Sequence, residues 1–311
     1  MQLSSNRVLF FTARTIEILV AGVFLLAAVM KALDPASFIE QIAAYGIFPD
    51  LAPIAAWSLI IVECVLAAAL IVNLLPRIFP LLSMALLLFF IGITLYGMSI
   101  GLGEDCGCFG NLYHRGPEMV IIEDALMLIG LVFVVVVLWK RQDEHNAMRI
   151  AVTLTAGMAA AGLTAFSPYI PADDIVTQLH PGSSFTTWPV DGLYGKDLNS
   201  GTHVVFLFTV TSDNIGAQVQ SMNSVAQAME DASVVGLIID GTEHLTTLMF
   251  EYAAAFPVAA LEPRFARPLY RTLPRTFILR NGTVMQTWSE LPQPEAVMKA
   301  WPKEEQEKDP S

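Results

Sequence analysis

The stretch IAAWSLIIVECVLAAALIVNLL, residues 54–75, carries a single charged residue, Glu63. A helix needs about 20 mostly apolar residues to cross the hydrocarbon core of a bilayer. Four more stretches approach or reach this length, at residues 15–30, 78–100, 119–139 and 150–166. The sequence therefore predicts an integral membrane protein whose helices contact the lipid bilayer. Because more spans follow it, the first stretch is interpreted as a retained helix rather than a cleaved signal peptide.

The composition supports this class and excludes others. Of the 311 residues, 54% are hydrophobic and 15% are charged, whereas globular domains carry roughly 25% charged residues. The formal net charge of -12 argues against a nucleic-acid partner, because phosphate contacts require clustered Lys and Arg. Three cysteines, Cys64, Cys106 and Cys108, are too few for a disulfide scaffold, so any role they have is local.

Basic residues beside the spans predict the orientation of the chain. They occupy three sites that lie on one side if every span crosses, namely Arg7 with Arg14, Arg77, and Lys140 with Arg141 and Arg149. Loops rich in Lys and Arg stay in the cytoplasm. We therefore expect a multi-pass protein of a bacterial inner membrane with a cytoplasmic N-terminus. Residues 31–53, residues 101–118 and everything after Phe166 would face the periplasm.

Two segments outside the spans have readable local structure. Phe38, Ile42 and Tyr45 fall at helical spacing in residues 34–50, which predicts a short amphipathic helix. After a proline-rich linker, alternating patterns predict an α/β domain with a mixed sheet. Its predicted elements are strands at 203–209 and 233–240, helices at 214–230 and 243–256, a hairpin of 276–279 and 284–288 around Asn281-Gly282, and a helix at 294–301.

These patterns predict four parts. Residues 1–142 would form a four-helix transmembrane domain, and residues 143–170 a fifth transmembrane helix with a linker. Residues 171–302 would form the α/β domain, and the charged tail 303–311 would be disordered.

The membrane part resembles the MauE/DoxX-like family of four-helix membrane proteins over about residues 16–138. The most specific part is Asp105-Cys106-Gly107-Cys108-Phe109-Gly110 before the fourth span. The other matching residues are Lys31, Asp34, Pro35, Phe38, Tyr45, Pro49 and Glu63. MauE acts beside a separate thioredoxin-like protein, MauD, in maturing a disulfide-rich periplasmic dehydrogenase of methylamine metabolism. The resemblance implies a comparable maturation role here.

The C-terminal part, residues 171–302, resembles a thioredoxin-like domain of the MauD kind. The element order and Leu273-Pro274-Arg275 carry this resemblance, which implies a cis-proline at Pro274. The family's Cys-x-x-Cys would fall near residues 211–215, where this chain reads TSDNI. Because the domain contains no cysteine, it cannot exchange thiols and disulfides by itself.

Cys106 and Cys108 are the first candidates for chemistry. A disulfide across one intervening residue departs from relaxed geometry, and strained, exposed disulfides are the labile or catalytic ones. His114 and Arg115 would lower the pKa of a nearby thiol, whereas Glu104 and Asp105 would raise it. Redox function is the favoured hypothesis, and a structural disulfide or loop-pinning thiols are the alternative. A metal site is disfavoured because two thiolates and one histidine give three ligands at most.

Ionisable residues within or beside the spans form a second group. Glu63 lies near the middle of its span, where charge is costly and usually functional. It would either transfer protons during thiol chemistry or quinone reduction or, as slightly favoured, hydrogen-bond two helices as a neutral carboxyl. Lys31 and Asp34 would bind an anionic group or line the mouth of a quinone pocket, but a snorkelling lysine is the simpler account.

Three further positions carry weaker signals. Cys64 is expected to be a buried, apolar residue without chemistry. Asp124, near the start of the fourth span, would tune the thiols or only make that helix end polar. In the soluble domain Thr209, Thr211, Ser212 and Asp213 would cap the following helix, and alternatively Ser212 and Pro274 would border a groove for a client peptide.

Two functions compete. In the favoured one, Cys106 and Cys108 form a membrane-bound thiol–disulfide oxidoreductase pair that assists disulfide formation in a periplasmic client or a thioredoxin-like partner. A quinone is then the candidate electron acceptor, and no covalently bound cofactor is expected. In the alternative, the protein is a non-catalytic, membrane-anchored docking factor. Whether the cysteine pair cycles between redox states discriminates the two.

Overall fold

The computed structural model describes residues 2–101, 116–139, 147–191, 197–229 and 233–302, with backbone alone at residues 2–6, 191 and 264. The chain divides into two compact units, Met1–Ala172 and Asp173–Ser311. Each unit is treated by itself below.

The first unit is a helical bundle. Its helices are α1 (Gln2–Leu33), α2 (Pro35–Ala44), α3 (Ala52–Val72), α4 (Ile78–Ser99), α5 (Pro117–Leu138) and α6 (Ala147–Phe166). All except α2 belong to the five segments that are long and apolar enough to cross a membrane. The predicted spans and the predicted amphipathic helix are therefore confirmed, and the chain is a multi-pass membrane protein.

Helix α1 packs against α3 and α5, α3 packs against α6, and α4 packs against α5. Small residues allow close approach at these crossings, as is usual in membranes where no hydrophobic effect drives helices together. A Cβ atom added at Gly157 of α6 would lie 2.8 Å from Val65 Cγ2 of α3. One added at Gly130 of α5 would lie 2.9 Å from Ile16 Cγ2 of α1.

One end of the bundle gathers basic side chains. Arg14 donates to the carbonyl oxygens of Leu70 and Ile71 at 3.1 and 2.9 Å, and Arg149 donates to that of Asn73 at 3.1 Å. These carbonyls belong to the C-terminal end of α3, where the regular hydrogen bonds of the helix run out, although the Leu70 oxygen also accepts from the Asn73 amide at 3.2 Å. Arg14 also pairs with the buried Glu17. The arginines therefore complete the hydrogen bonding of α3 and complement its dipole.

The second unit is an α/β domain around a six-stranded sheet. The strands are β1 (Val190–Asp191), β2 (Thr202–Phe208), β3 (Ser233–Ile238), β4 (Val258–Leu261), β5 (Arg275–Arg280) and β6 (Thr283–Trp288), in the order β1-β4-β3-β2-β5-β6. Strands β2, β3 and β4 are parallel, whereas β5 and β6 form an antiparallel hairpin beside β2. The helices are α7 (Asp173–Val176), α8 (Ile215–Ala228), α9 (Leu245–Phe250), α10 (Pro263–Ala266) and α11 (Pro294–Ala300).

The predicted strands and hairpin of this domain are confirmed, and the hairpin turn has positive φ at both Asn281 and Gly282, as a type I′ turn requires. The helix predicted at residues 243–256 is wrong in length, because α9 ends at Phe250 and Ala253 has positive φ. The residues after α9 lead into β4, a strand that the sequence patterns did not predict.

A buried ion pair joins the beginning of this domain to strand β5. Arg275, fully buried at the start of β5, has its Nη1 atom 3.1 Å from Asp173 Oδ1 and donates from Nη2 to the carbonyl oxygen of Leu179 at 3.2 Å. Arg271 lies 3.5 Å from the same carboxylate. Burial lowers the pKa of the Arg275 guanidinium, and the Asp173 carboxylate opposes that shift. The segment before β1 is thereby fixed to the strand that begins the hairpin.

The close crossing of α3 and α6 generates a prediction with a matched control on one helix. We expect Gly157→Ala to destabilise the bundle by about 1–3 kcal/mol relative to Gly162→Ala, because only the first methyl group meets a neighbour. Both substitutions gain the same helix propensity. Unfolding of the full chain in mixed micelles with increasing SDS, followed by circular dichroism, measures the difference. Equal stabilities of the two variants would contradict the packing described here.

Candidate functional site

A cavity of about 390 Å³ lies inside the helical bundle. Its walls come from α1 to α5 and from the turn after α2, and they are mostly apolar. A few polar side chains converge on it, namely Lys31, Gln41, Tyr45, Glu63, Thr94 and Asp124. An apolar pocket with a small number of polar groups is the usual form of a small-molecule site.

The centre of this site is an ion pair. The ammonium of Lys31 at the end of α1 lies 2.5 Å from Glu63 Oε1 in the middle of α3, and both side chains are at most 3% exposed. The same ammonium lies 5.0 Å from the ring centroids of Phe38 and Phe90. The snorkelling interpretation of Lys31 is therefore wrong, because the ammonium is buried against a carboxylate and two aromatic faces.

Glu63 does join two helices, as one of its interpretations held, but its partner is the lysine ammonium. Its second oxygen, Oε2, is buried and has no hydrogen-bond partner among the described residues. Since Glu63 lines the cavity, this acceptor belongs to the wall of the site. A buried carboxylate oxygen without a donor is costly, and a bound molecule with a donor group would satisfy it.

Asp124 adds a second carboxylate to the cavity. It is 8% exposed, whereas the adjacent Glu123 is half-buried and does not line the cavity. This difference follows from helix geometry, because neighbouring residues point in directions about 100° apart. Asp124 therefore does more than make the end of α5 polar.

Helix α2 closes one side of the cavity. Asp34 caps it by accepting from the Ser37 amide at 3.1 Å, and Phe38 is buried beneath it. Tyr45 packs against Gly97 of α4, where an added Cβ atom would lie 2.8 Å from Tyr45 Cε1. The structure thus gives Asp34 a capping role, while Lys31 alone of this pair lines the cavity.

The cavity lies toward the end of the bundle opposite the arginines. Lys31 is close to the end of α1 and Thr94 to the end of α4, while Asp124 is about 10 Å of helix from the start of α5. Helix α4 ends and helix α5 begins at this end, and residues 102–115 connect them in the sequence. The predicted site residues Asp105, Cys106, Cys108, His114 and Arg115 belong to that segment and lie outside the described residues.

Cys64 faces away from this site. Its thiol lies 3.4 Å from the carbonyl oxygen of Ala156 on α6, and its side chain packs among apolar residues that include Ile60 and Ala160. The expectation of a buried, apolar cysteine agrees with this environment.

In the second unit, the position that a thioredoxin-like redox centre would occupy is held by hydroxyl and carboxylate groups. Asp240, after β3, accepts from Thr209 Oγ1 at 2.7 Å and from the Val210 amide at 2.5 Å. Ser212 Oγ donates to Asn214 Oδ1 at 2.7 Å. The expected capping of α8 is wrong, because its N-cap residue is Asn214 and no side chain accepts from the first turn.

Pro274 follows a cis peptide bond, as predicted from the resemblance. Strand register pairs Leu207 with Arg275, so the chain leaving β2 toward Ser212 and the chain entering β5 through Pro274 meet at the same end of the sheet. A client groove between Ser212 and Pro274 stays a prediction.

Sequence reasoning missed three polar residues of these sites. Thr94 and Gln41 line the cavity, and Asp240 holds the loop after β2. Thr94 carries the only sequence signal, as a polar residue in an apolar span. Gln41 looks like any surface residue of a short helix, and the role of Asp240 depends on the pairing of β2 with β3.

Comparison with known proteins identifies the membrane part. Residues 9–140 match the family of the methylamine utilisation protein MauE. The resemblance based on the Cys-Gly-Cys segment is thereby confirmed for the membrane part of the chain. The strand order and the cis-proline confirm a thioredoxin-like fold for the second unit, so the chain joins a MauE-type bundle to a thioredoxin-like domain.

Two individual proteins are also similar. Protein TlpB of Flavobacterium psychrophilum is 28% identical over 141 residues, which cover 42% of this chain and 38% of that protein. A solution structure of a thiol:disulfide interchange protein from Bacteroides sp. is 13% identical with a TM-score of 0.33, over 40% of this chain and 89% of that one.

The buried ion pair generates a prediction with an internal control. We expect Lys31→Met to destabilise the bundle by about 3–5 kcal/mol, because Glu63 then remains buried without its cation. The double variant Lys31→Met/Glu63→Leu should recover most of this loss, since apolar groups replace both charges. SDS unfolding of the full chain measures both variants, and Glu118→Gln at an exposed site should leave stability unchanged. A single variant as stable as the parent would show that the pair contributes little.

Proposed function

We propose that this chain is a membrane-bound thiol–disulfide redox protein in which Cys106 and Cys108 cycle between dithiol and disulfide. The observation that carries the proposal is positional. The segment with the Cys-Gly-Cys sequence joins α4 to α5 at the end of the bundle where Lys31, Glu63 and Asp124 surround a cavity. The match of residues 9–140 to the MauE family, whose implied role is the maturation of a disulfide-rich protein, supports the same class of chemistry.

The basic residues support a periplasmic location for the cysteines. Arg14 and Arg149 meet at the C-terminal end of α3, and Arg77 stacks on Trp139 with its guanidinium carbon 6.0 Å from the ring centroid. By the positive-inside rule this end faces the cytoplasm. The cavity and residues 102–115 then lie at the periplasmic side of a bacterial inner membrane, where disulfides persist.

The chemical step is an exchange of electrons between thiols. The Cys106–Cys108 disulfide accepts two electrons and two protons from two client thiols, so that a disulfide forms in the client and the pair becomes a dithiol. A strained disulfide across one residue is readily reduced, which favours transfer in this direction. Reoxidation of the dithiol then requires a separate two-electron acceptor.

The client is proposed to be an extracytoplasmic protein whose disulfides form during maturation, as the MauE family suggests. The thioredoxin-like domain would hold that client beside the membrane. It retains the cis-proline edge next to β2 but has no thiol, so in this proposal it binds and the membrane part oxidises.

A non-catalytic docking factor is the second candidate. The hydrogen bonds that Asp240 accepts from Thr209 and from the Val210 amide favour it, because they order the loop after β2 without placing a thiol there. In this candidate Cys106 and Cys108 only fasten their own segment. The redox behaviour of the cysteine pair separates the two functions.

The proposed function predicts that Cys106 and Cys108 titrate reversibly. We expect the pair in native membranes to pass from disulfide to dithiol within the range of about -120 to -270 mV spanned by thiol oxidoreductases. Thiol alkylation with mass spectrometry across glutathione buffers measures this in a Cys64→Ala background, so that the buried thiol contributes no signal. A pair that stays oxidised under strong reductant, or that never oxidises, would leave the docking factor as the function.

The proposed orientation has its own test. Single cysteines introduced at Glu118 and at Met148, in a chain without native cysteines, should differ in labelling by a membrane-impermeant maleimide added to spheroplasts. Both positions are exposed and adjoin opposite ends of the bundle. We expect the first to react and the second to react only after lysis. The reverse pattern would invert the membrane topology.

A further inference from the structure

The shape of the cavity restricts what it binds. Its volume of about 390 Å³ falls in the usual range for small-molecule sites. Exposed apolar side chains form its rim, including Phe48, Leu51 and Phe89, which are 68%, 52% and 49% exposed. These residues would contact lipid tails in a bilayer. A ligand that reaches the cavity through this rim arrives from the membrane and carries an apolar tail.

The charges around the cavity disfavour phospholipid headgroups, which are the commonest polar groups in a membrane. Lys31 is matched by Glu63, and Asp124 adds a further carboxylate. With all three groups ionised the site carries one net negative charge, so it disfavours the phosphate of a phospholipid. A neutral headgroup fits this balance.

The polar groups and the aromatic rings describe that headgroup further. Phe38, Phe89 and Phe90 line the cavity, and aromatic rings pack favourably against a flat conjugated ring in edge-to-face or offset arrangements. Lys31 supplies hydrogen-bond donors for a carbonyl oxygen of the ligand, because an ammonium has three N–H groups. The unpartnered Glu63 Oε2 accepts from a hydroxyl. A quinone combines these features, since its flat ring carries carbonyl oxygens when oxidised and hydroxyls when reduced.

We propose that the cavity binds the headgroup of a membrane quinone, which is the electron acceptor for the protein's dithiol. The binding site stands on the cavity alone, whereas the electron transfer rests on the proposed function. Two S–H bonds of Cys106 and Cys108 break and one S–S bond forms. The two electrons and two protons released appear on the two oxygens of the quinone, which leaves as quinol.

Glu63 and Asp124 have a defined part in this balance. A quinone takes up two protons when it is reduced, and a buried, apolar cavity holds little water to deliver them. The two carboxylates are the groups in the wall that can hold and pass a proton. A glutamine at position 63 still forms hydrogen bonds but cannot transfer a proton, and Lys31 still positions the accepting oxygen. Substitution of Glu63 by Gln should therefore slow quinone reduction more than it weakens quinone binding.

Binding is tested in the full chain with Cys64→Ala, Cys106→Ser and Cys108→Ser, so that cysteine chemistry plays no part. The protein is placed in phosphatidylcholine nanodiscs, and the probes are decylubiquinone and menadione. A ligand that binds only the folded state raises the unfolding temperature. We expect at least one of the two probes to raise the unfolding temperature of this parent protein. The same shift is expected in the control variant Ile54→Phe, which adds a ring at an exposed site. Ala55 lines the cavity, so Ala55→Phe places a ring in the space that the ligand would occupy and should weaken quinone binding about tenfold or more.

A photoreactive azidoquinone gives a second readout that does not depend on a variant folding. We expect label on the peptides that contain Phe38 and Phe90. Label restricted to exposed positions such as Met158 of α6, an equal thermal shift in Ala55→Phe, or no shift with either probe would overturn the proposal and leave lipid tails as the occupant.

The electron transfer is tested with the native cysteines. Reduced protein mixed anaerobically with decylubiquinone should reduce about one quinone per cysteine pair, and Ala55→Phe should slow this without changing the glutathione titration. Quinone binding without cysteine cycling would reject the proposed function and retain the site. Cysteine cycling without quinone binding or reduction would reject the quinone site and retain the function.

Discussion

The burial of the Lys31–Glu63 ion pair constrains the end of the bundle that holds the cavity. Removing two charges from water costs several kcal/mol of free energy for each ion. A charged side chain inside a membrane is also costly, and it is usually paired with a group of opposite charge. The pair therefore requires α1 and α3 to stay in one register. The aromatic faces of Phe38 and Phe90 then complete the surroundings of the ammonium, which draws α2 and α4 to the same point. The cavity is the space left between these four helices and α5.

The two ends of the bundle are built for different purposes. At one end the arginines Arg14 and Arg149 satisfy the last carbonyls of α3, which is a structural use of charge. At the other end Glu63 Oε2 has no partner among the described residues and Asp124 faces a cavity. Unsatisfied polar atoms are costly in proteins that only need stability. The two carboxylates that line an apolar cavity at the end of the bundle where α4 ends and α5 begins, one of them with an unpartnered oxygen, are the physical basis of the proposed redox site.

The thioredoxin-like domain has kept its architecture without its usual chemistry. Its sheet, its hairpin and the cis bond before Pro274 are present, while hydroxyl and carboxylate groups occupy the loop after β2. The buried pair of Arg275 and Asp173 ties the beginning of the domain to β5. Such a fold offers a preformed surface at the end of β2 that has no thiol of its own.

Local signals in the sequence determined much of this protein. The spans follow from runs of apolar residues, the hairpin from Asn281-Gly282, and α2 from the spacing of Phe38, Ile42 and Tyr45, because each depends on neighbours within a few residues. Strand β4 was not predicted, because its four small and apolar residues carry no distinctive sequence pattern. The tertiary structure alone decided that Lys31 is buried, since its partner lies 32 residues away, and that Asp124 and Thr94 share its cavity. Charge pairing in a membrane depends on which helices meet, and no local pattern in one chain encodes that contact.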